Sequence, residues 1–159
     1  MLTTFQTLVT RDHDEIAAAL DIIMEPRTTS EVLRDVIDAT RLAFTVHAVA
    51  EQRVLTALLK NRPSFTITEI VRQSRLDHLE QQQNLAALAA LVPGCRSWNK
   101  LVLDLRSGML RHALDAPAAI AALEEAIDPV TPPQLASRYA TERMRVLAET
   151  LPVMADTAS

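Results

Sequence analysis

Prolines and polar turn residues divide the chain into five long segments, and apolar residues recur every three or four positions in each of the first four. This is the period of an α-helix with one buried face. Glycine, which weakens helices, occurs only twice in 159 residues. Long amphipathic helices joined by short connections bury their apolar faces as antiparallel neighbours. The sequence therefore predicts an all-α protein, namely an up-down-up-down antiparallel four-helix bundle with an additional C-terminal helix.

Capping and breaking signals set the boundaries of these helices. Capping-box spacing occurs at Thr28–Glu31 and again at Thr66–Glu69, each directly before an apolar helical pattern. Ser97 can cap the fourth helix, which follows the turn at Pro93-Gly94. The helices are predicted at about residues 2–25, 28–61, 66–92, 97 to beyond 117, and from 131 onward. We predict a bundle domain at residues 1–128 and a C-terminal helix within 129–159 that packs on the bundle or on a partner.

The charge and cysteine content exclude several classes of protein. With 16 basic and 20 acidic side chains the net charge is −4, and no concentrated basic surface for nucleic acid is visible. The single cysteine, Cys95, excludes an internal disulfide and any cysteine-built zinc or iron–sulfur site. The N-terminus lacks a signal-peptide pattern, and the longest apolar run, at 85–92, is too short to span a bilayer. We expect a cytoplasmic monomer or homodimer that binds neither nucleic acid nor a membrane.

Each of the four predicted bundle helices carries one histidine in its apolar stripe. These residues are His13, His47, His78 and His112. In an antiparallel hairpin, two residues at the same level are equidistant from the turn. The midpoints between successive histidines fall at Ser30, at Arg62-Pro63 and at Cys95. These positions lie in the turn regions 26–30, 62–64 and 93–96, which proline, glycine and polar residues indicate without reference to histidine. The four imidazoles are therefore predicted to meet in one layer of the bundle.

A layer of buried imidazoles needs partners for its ring nitrogens. Unsatisfied polar atoms are costly in a core, and a bound metal ion would satisfy several of them together. Glu51 lies four residues after His47, so on a helix its carboxylate shares the same inward face. We therefore favour a metal site. The alternative is a layer held together by hydrogen bonds alone.

The order and spacing of these residues resemble those of the hemerythrin (HHE cation-binding) family. The residues that carry the resemblance are RDHDEI at 11–16, HAVAE at 47–51, LDHLE at 76–80 and RHALDA at 111–116. It covers roughly residues 2–127 and implies two bridged irons in a four-helix bundle that bind dioxygen or react with peroxide or nitric oxide. The resemblance implies iron ligands at His13, His47, His78 and His112, with Glu51 as a bridging carboxylate.

The fourth helix departs from the pattern of that family. Ala116 stands where a glutamate is expected, and Pro117 is expected to bend or end the helix and to disfavour helical geometry at position 116. Asp115, three residues after His112, could reach inward as a substitute ligand, and Asp77 could orient the neighbouring His78. The site could then hold two irons, one iron or none. The alternative function is a non-enzymatic helical interaction module with a vestigial or structural single-metal site.

Overall fold

A computed structural model describes residues 3–127 and 131–156, of which nearly all are helical. The helices are α1 (Phe5–Met24), α2 (Ser30–Asn61), α3 (Phe65–Ala90), α4 (Arg96–Glu125) and α5 (Thr131–Asp156). No strand occurs in these two ranges. The predicted all-α fold class is confirmed. The predicted domain boundary at residues 128 and 129 lies outside the described residues.

The predicted starts of α3 and α4 are each one residue late, because the expected N-cap residues are wrong. The N-cap of α3 is Ser64, whose Oγ accepts a hydrogen bond from the Ile67 backbone N–H at 3.1 Å. The N-cap of α4 is Cys95, whose sulfur accepts from the Trp98 N–H at 3.4 Å. Both caps have extended backbone, which aims the side chain at the free N–H groups of the first turn, so each helix starts earlier than predicted. Helix α2 begins at Ser30 behind the N-cap Thr29, two residues after the predicted start at 28.

The fourth helix continues beyond Pro117, as its predicted bounds require, so this proline does not end it, and the expectation of non-helical geometry at position 116 is wrong. Helix α4 runs without interruption from Arg96 to Glu125 with Pro117 inside it, so position 116 is helical. A proline inside a helix removes one backbone hydrogen bond and costs about 3 kcal/mol. The turns beyond Pro117 bury Ile120 and Leu123, and burying two such side chains contributes a comparable amount, about 1.5–3 kcal/mol each.

Each of the first four helices packs against two others of the four. Helix α1 contacts α2 and α4, α3 contacts α2 and α4, and α5 lies against α1 and α2. The core has two apolar clusters. One combines the N-terminal half of α1 with the C-terminal half of α2, the start of α3, the end of α4 and part of α5. The other combines the opposite halves of α1 to α4. The histidines lie between these two clusters.

Helix α2 is also the one described helix that is long and apolar enough to cross a membrane. An 18-residue stretch of α2 has a mean hydropathy of 1.2, and half of this stretch is buried inside the fold. The core helices of soluble proteins have the same length and composition, so this property agrees with the packing of α2 described above.

Candidate metal centre

The four histidine rings form one layer in the core. Ring centroids are 4.7 Å apart for His13 and His47, 4.9 Å for His13 and His112, and 4.8 Å for His78 and His112. His78 also lies 5.2 Å from His47. Three of the rings are buried and His13 is partly buried. The helical stripes thus bring all four imidazoles to the same level.

Four side chains in this layer form a group that could hold a metal ion. The ligand atoms of His13, His47, Glu51 and His112 all lie within 4.8 Å of one another. The Nε2 atoms of His13 and His47 are 3.1 Å apart, and His47 Nε2 is 3.5 Å from Glu51 Oε2. Two nitrogens that bind one metal ion, each about 2.1 Å from it and with an angle of about 90° at the ion, lie about 3.0 Å apart. The spacing therefore suits ligands of one ion.

A chain of hydrogen bonds from α5 fixes the orientation of His47. The Tyr139 hydroxyl donates to Asp12 Oδ2 at 2.5 Å, and its oxygen is 2.7 Å from His47 Nδ1. Because the hydroxyl hydrogen is used on Asp12, the oxygen must accept, and the His47 proton lies on Nδ1. The lone pair of His47 Nε2 then faces the candidate site, as a metal ligand requires.

Arg143 completes this chain at the solvent side. Its Nη2 lies 2.8 Å from Asp12 Oδ1. Burial alone would raise the pKa of Asp12, but the nearby His47 ring, the hydrogen bond from Tyr139 and the charge of Arg143 lower it overall, so Asp12 is ionised. Burial and the adjacent Asp12 charge raise the pKa of Tyr139, which keeps the hydroxyl protonated as a donor.

His112 is oriented in the same way by an acid on α3. Its Nδ1 is 3.3 Å from Asp77 Oδ2, and Asp77 Oδ1 accepts from Gln73 Nε2 at 2.8 Å. A carboxylate only accepts, so the His112 proton lies on Nδ1, and Nε2 is buried with no hydrogen-bond partner among the described residues.

The prediction that Asp77 orients His78 is wrong. Adjacent residues on a helix point about 100° apart, so Asp77 faces α4 and not its own neighbour.

Glu51 gives the site a negative charge. It accepts a hydrogen bond from Ser74 Oγ at 2.6 Å. Burial would raise its pKa, but the His78 and His47 rings, which are positive when protonated in acid, and the hydrogen bond from Ser74 outweigh that effect and lower the pKa overall. Burial lowers the pKa of His13 and of His78 to about 3, so both rings are neutral near pH 7. One carboxylate among neutral imidazoles is an electrostatic environment that favours a cation.

Two of the predicted ligands stand apart from this group. Both ring nitrogens of His78 are buried without a partner in the described part of the chain, and His78 is not one of the four grouped side chains. Asp115 is exposed and also lies outside the group. A ligand role for either residue remains a prediction.

Sequence reasoning missed the contribution of α5. The sequence predicts only that the C-terminal helix packs on the bundle or on a partner, and it gives Tyr139, Arg143 and Ser74 no role at the site. One signal was present, since Tyr139 lies four residues after Leu135 on the buried face of α5, and a buried tyrosine hydroxyl needs a partner.

A cavity of about 130 Å³ lies beside the group. His13, His47 and His112 line one side of it, and Leu20, Phe44 and Met109 line the apolar side. Since one water takes about 30 Å³ in the liquid, the cavity has room for a small molecule next to the ligand atoms.

Comparisons with protein-family models, with curated proteins and with solved structures found no match for this chain. The fold and the site define an all-helical protein with a buried histidine and glutamate group that could hold a metal ion.

Proposed function

We propose that this protein is a hemerythrin-like, non-haem iron protein that binds or senses dioxygen, peroxide or nitric oxide. The proposal includes an up-down-up-down antiparallel bundle of α1 to α4 with α5 docked on α1 and α2. The two core clusters support that arrangement, because each combines opposite halves of successive helices.

The observation that carries the proposal is the grouping of His13, His47, Glu51 and His112 within 4.8 Å. Imidazole and carboxylate ligands suit iron, zinc, copper and nickel, and the choice of iron rests on the resemblance to the hemerythrin family. The buried Nε2 of His112, which has no partner in the described part of the chain, fits this donor set. Iron held there would supply redox chemistry toward a small oxygen or nitrogen species.

The residues around the group prepare it for a cation. Tyr139 and Asp77 hold the His47 and His112 protons on Nδ1 and so leave both Nε2 lone pairs free. His13 Nε2 donates to His47 Nε2 in the ion-free arrangement, so binding requires the His13 proton to be on its Nδ1. The cavity beside the group is apolar near Phe44 and Met109 and has Asp14 and Arg106 elsewhere in its lining.

The number of ions depends on His78. The four grouped side chains suffice for one ion. A second ion would require further ligands, and His78 is the nearest unused donor because both of its ring nitrogens lack a partner in the described part of the chain. We propose that the grouped side chains bind one ion. If a second ion binds, as the resemblance to the hemerythrin family implies, His78 would be one of its ligands.

A second candidate function is a structural single-metal site in a helical interaction module. The position of Asp115 favours this function. Because Asp115 is exposed, α4 contributes only His112 to the group. In this case the ion would be fully ligated by protein and unreactive toward small ligands.

Metal analysis of tag-free protein, combined with its ultraviolet–visible spectrum, tests the proposal. Iron at one to two per chain and a spectrum that changes on addition of nitric oxide or peroxide would support it. Bound metal with no spectral response would support the structural alternative. Absence of metal after growth in iron-supplemented medium would contradict both metal sites and would support an interaction module in which the site is vestigial.

A further inference from the structure

A surface groove, distinct from the cavity beside the metal group, includes His78 in its lining. It has a volume of about 520 Å³ and lies between α2 and α3. Its lining also includes apolar surface from Val49 and Leu79. A groove of this volume is in the usual range for small-molecule sites.

The groove has a positive lining. Arg53, Lys60 and Arg75 all line it, and none of its described lining residues is acidic. Arg53 is already paired with Glu142 at 3.2 Å and Glu149 at 3.0 Å. Lys60 and Arg75 have no acidic partner within residues 3–127 and 131–156, although the chain as a whole has a net charge of −4. The groove therefore carries two uncompensated cations.

His78 is the core imidazole that lacks a protein acceptor. A neutral imidazole always has one N–H that needs an acceptor. His47 has the Tyr139 hydroxyl and His112 has Asp77, whereas neither nitrogen of His78 has a partner among the described residues, and the side chain is only 5% exposed. Gln52 Oε1, also lining the groove, is buried without a partner as well. The His78 ring nitrogens and Gln52 Oε1 are thus the polar atoms of the groove lining that are buried without a partner among the described residues.

We infer that this groove binds a small organic carboxylate, whose oxygens accept the His78 N–H and pair with Lys60 and Arg75 while its apolar body lies against Val49 and Leu79. The ligand would supply to His78 the acceptor that Tyr139 and Asp77 supply to His47 and His112. This binding site goes beyond the proposed function, because the groove and the missing acceptor exist whether or not a metal is bound.

The test is a titration with benzoate, followed by nuclear magnetic resonance of the imidazole nitrogens, on the full chain freed of metal by a chelator and on the same chain loaded with diamagnetic zinc. Benzoate should bind at millimolar concentration and shift the His78 ring signals, which are assigned with a His78→Gln variant. Benzamide, which has nearly the same shape without the charge, should bind at least about tenfold more weakly.

The double variant Lys60→Gln/Arg75→Gln removes the two unpaired cations and should weaken benzoate binding about tenfold or more. Lys100→Gln is the matched control, because Lys100 is the other lysine of the chain and is paired with Asp104 on α4, away from the groove. Its affinity for benzoate should equal that of the parent.

Four results would overturn the inference: no benzoate binding, equal binding of benzamide, unchanged affinity in the double variant, or His78 signals that do not move. Binding of inorganic phosphate in place of benzoate would show a general oxyanion site and would also contradict the carboxylate assignment. None of these readouts depends on metal content, so failure here is distinguishable from failure of the proposed iron site.

Discussion

Replacing Tyr139 with phenylalanine tests whether α5 controls the affinity of the metal site. The change removes the hydroxyl that joins His47 to Asp12 and leaves the ring packed edge-on against Phe5, with centroids 5.4 Å apart. Loss of such an outer partner typically reduces metal affinity by roughly 10- to 100-fold. We expect a loss near the lower end, about tenfold or ~1.4 kcal/mol. The reason is that Asp12 Oδ2 is only 3.6 Å from His47 Nδ1, and a small ring rotation lets it accept the proton directly.

The dissociation constants for zinc and ferrous ions can be measured by competition with a chromogenic chelator. Thr40→Val is the matched control, because Thr40 is equally buried and its hydroxyl donates to the Val36 carbonyl at 2.6 Å, outside the site. It should reduce the free energy of unfolding by about 1 kcal/mol without changing metal affinity. Unchanged affinity in Tyr139→Phe, or an equal loss in Thr40→Val, would refute the orienting role of Tyr139.

Three further predictions concern the site. Glu51→Gln keeps the side-chain shape but removes the anionic ligand, so metal per chain should fall sharply while the circular dichroism stays helical; unchanged metal content would show that Glu51 is not a ligand. Ala116→Glu places a carboxylate one turn after His112 on an unbroken helix and should raise bound metal, measured by elemental analysis; no gain would show that a fourth-helix carboxylate is not limiting. In metal-free protein the pKa of His13 and of His78 falls from 6.5 to about 3 on folding, so between these values the unfolded chain binds more protons and stability decreases as the pH decreases. Each pKa unit corresponds to about 1.4 kcal/mol, so acid unfolding followed by circular dichroism should occur within this window. Unfolding only below pH 3 would contradict the prediction.

The helices and the histidine layer were predictable because they depend on local periodicity and short connections. A stripe every three or four residues fixes which face of a helix is buried, and a short turn fixes the level at which two stripes meet. The caps of α3 and α4 were placed wrongly because several residues near each start, such as Ser64 and Thr66, are chemically able to cap. Only the backbone conformation selects between them.

The outer contacts of the site were not predictable in the same way. Asp77 was expected to act on its neighbour in sequence, but the helix aims it at His112 on α4. Tyr139 meets His47 across 92 positions of the chain, and Arg143 meets Asp12 through the docking of α5. No periodic pattern links such distant positions. These two contacts follow from the way the fifth helix packs on the bundle, which the sequence pattern does not predict.

The docking of α5 has a consequence for where the working unit of this protein ends. Arg143 neutralises Asp12 from α5, and Arg53 of α2 is paired with Glu142 and Glu149 of the same helix. A fragment ending before residue 131 would retain the four histidines and Glu51 yet expose an unpaired Asp12 carboxylate next to His47. Without Tyr139 and Arg143, the Asp12 carboxylate could accept a hydrogen bond from His47 Nδ1 or could itself bind a metal ion. A minimal bundle cut from this chain would therefore be a metal-binding protein with different ligand chemistry, and transplanting the site into another scaffold requires five helices and not four.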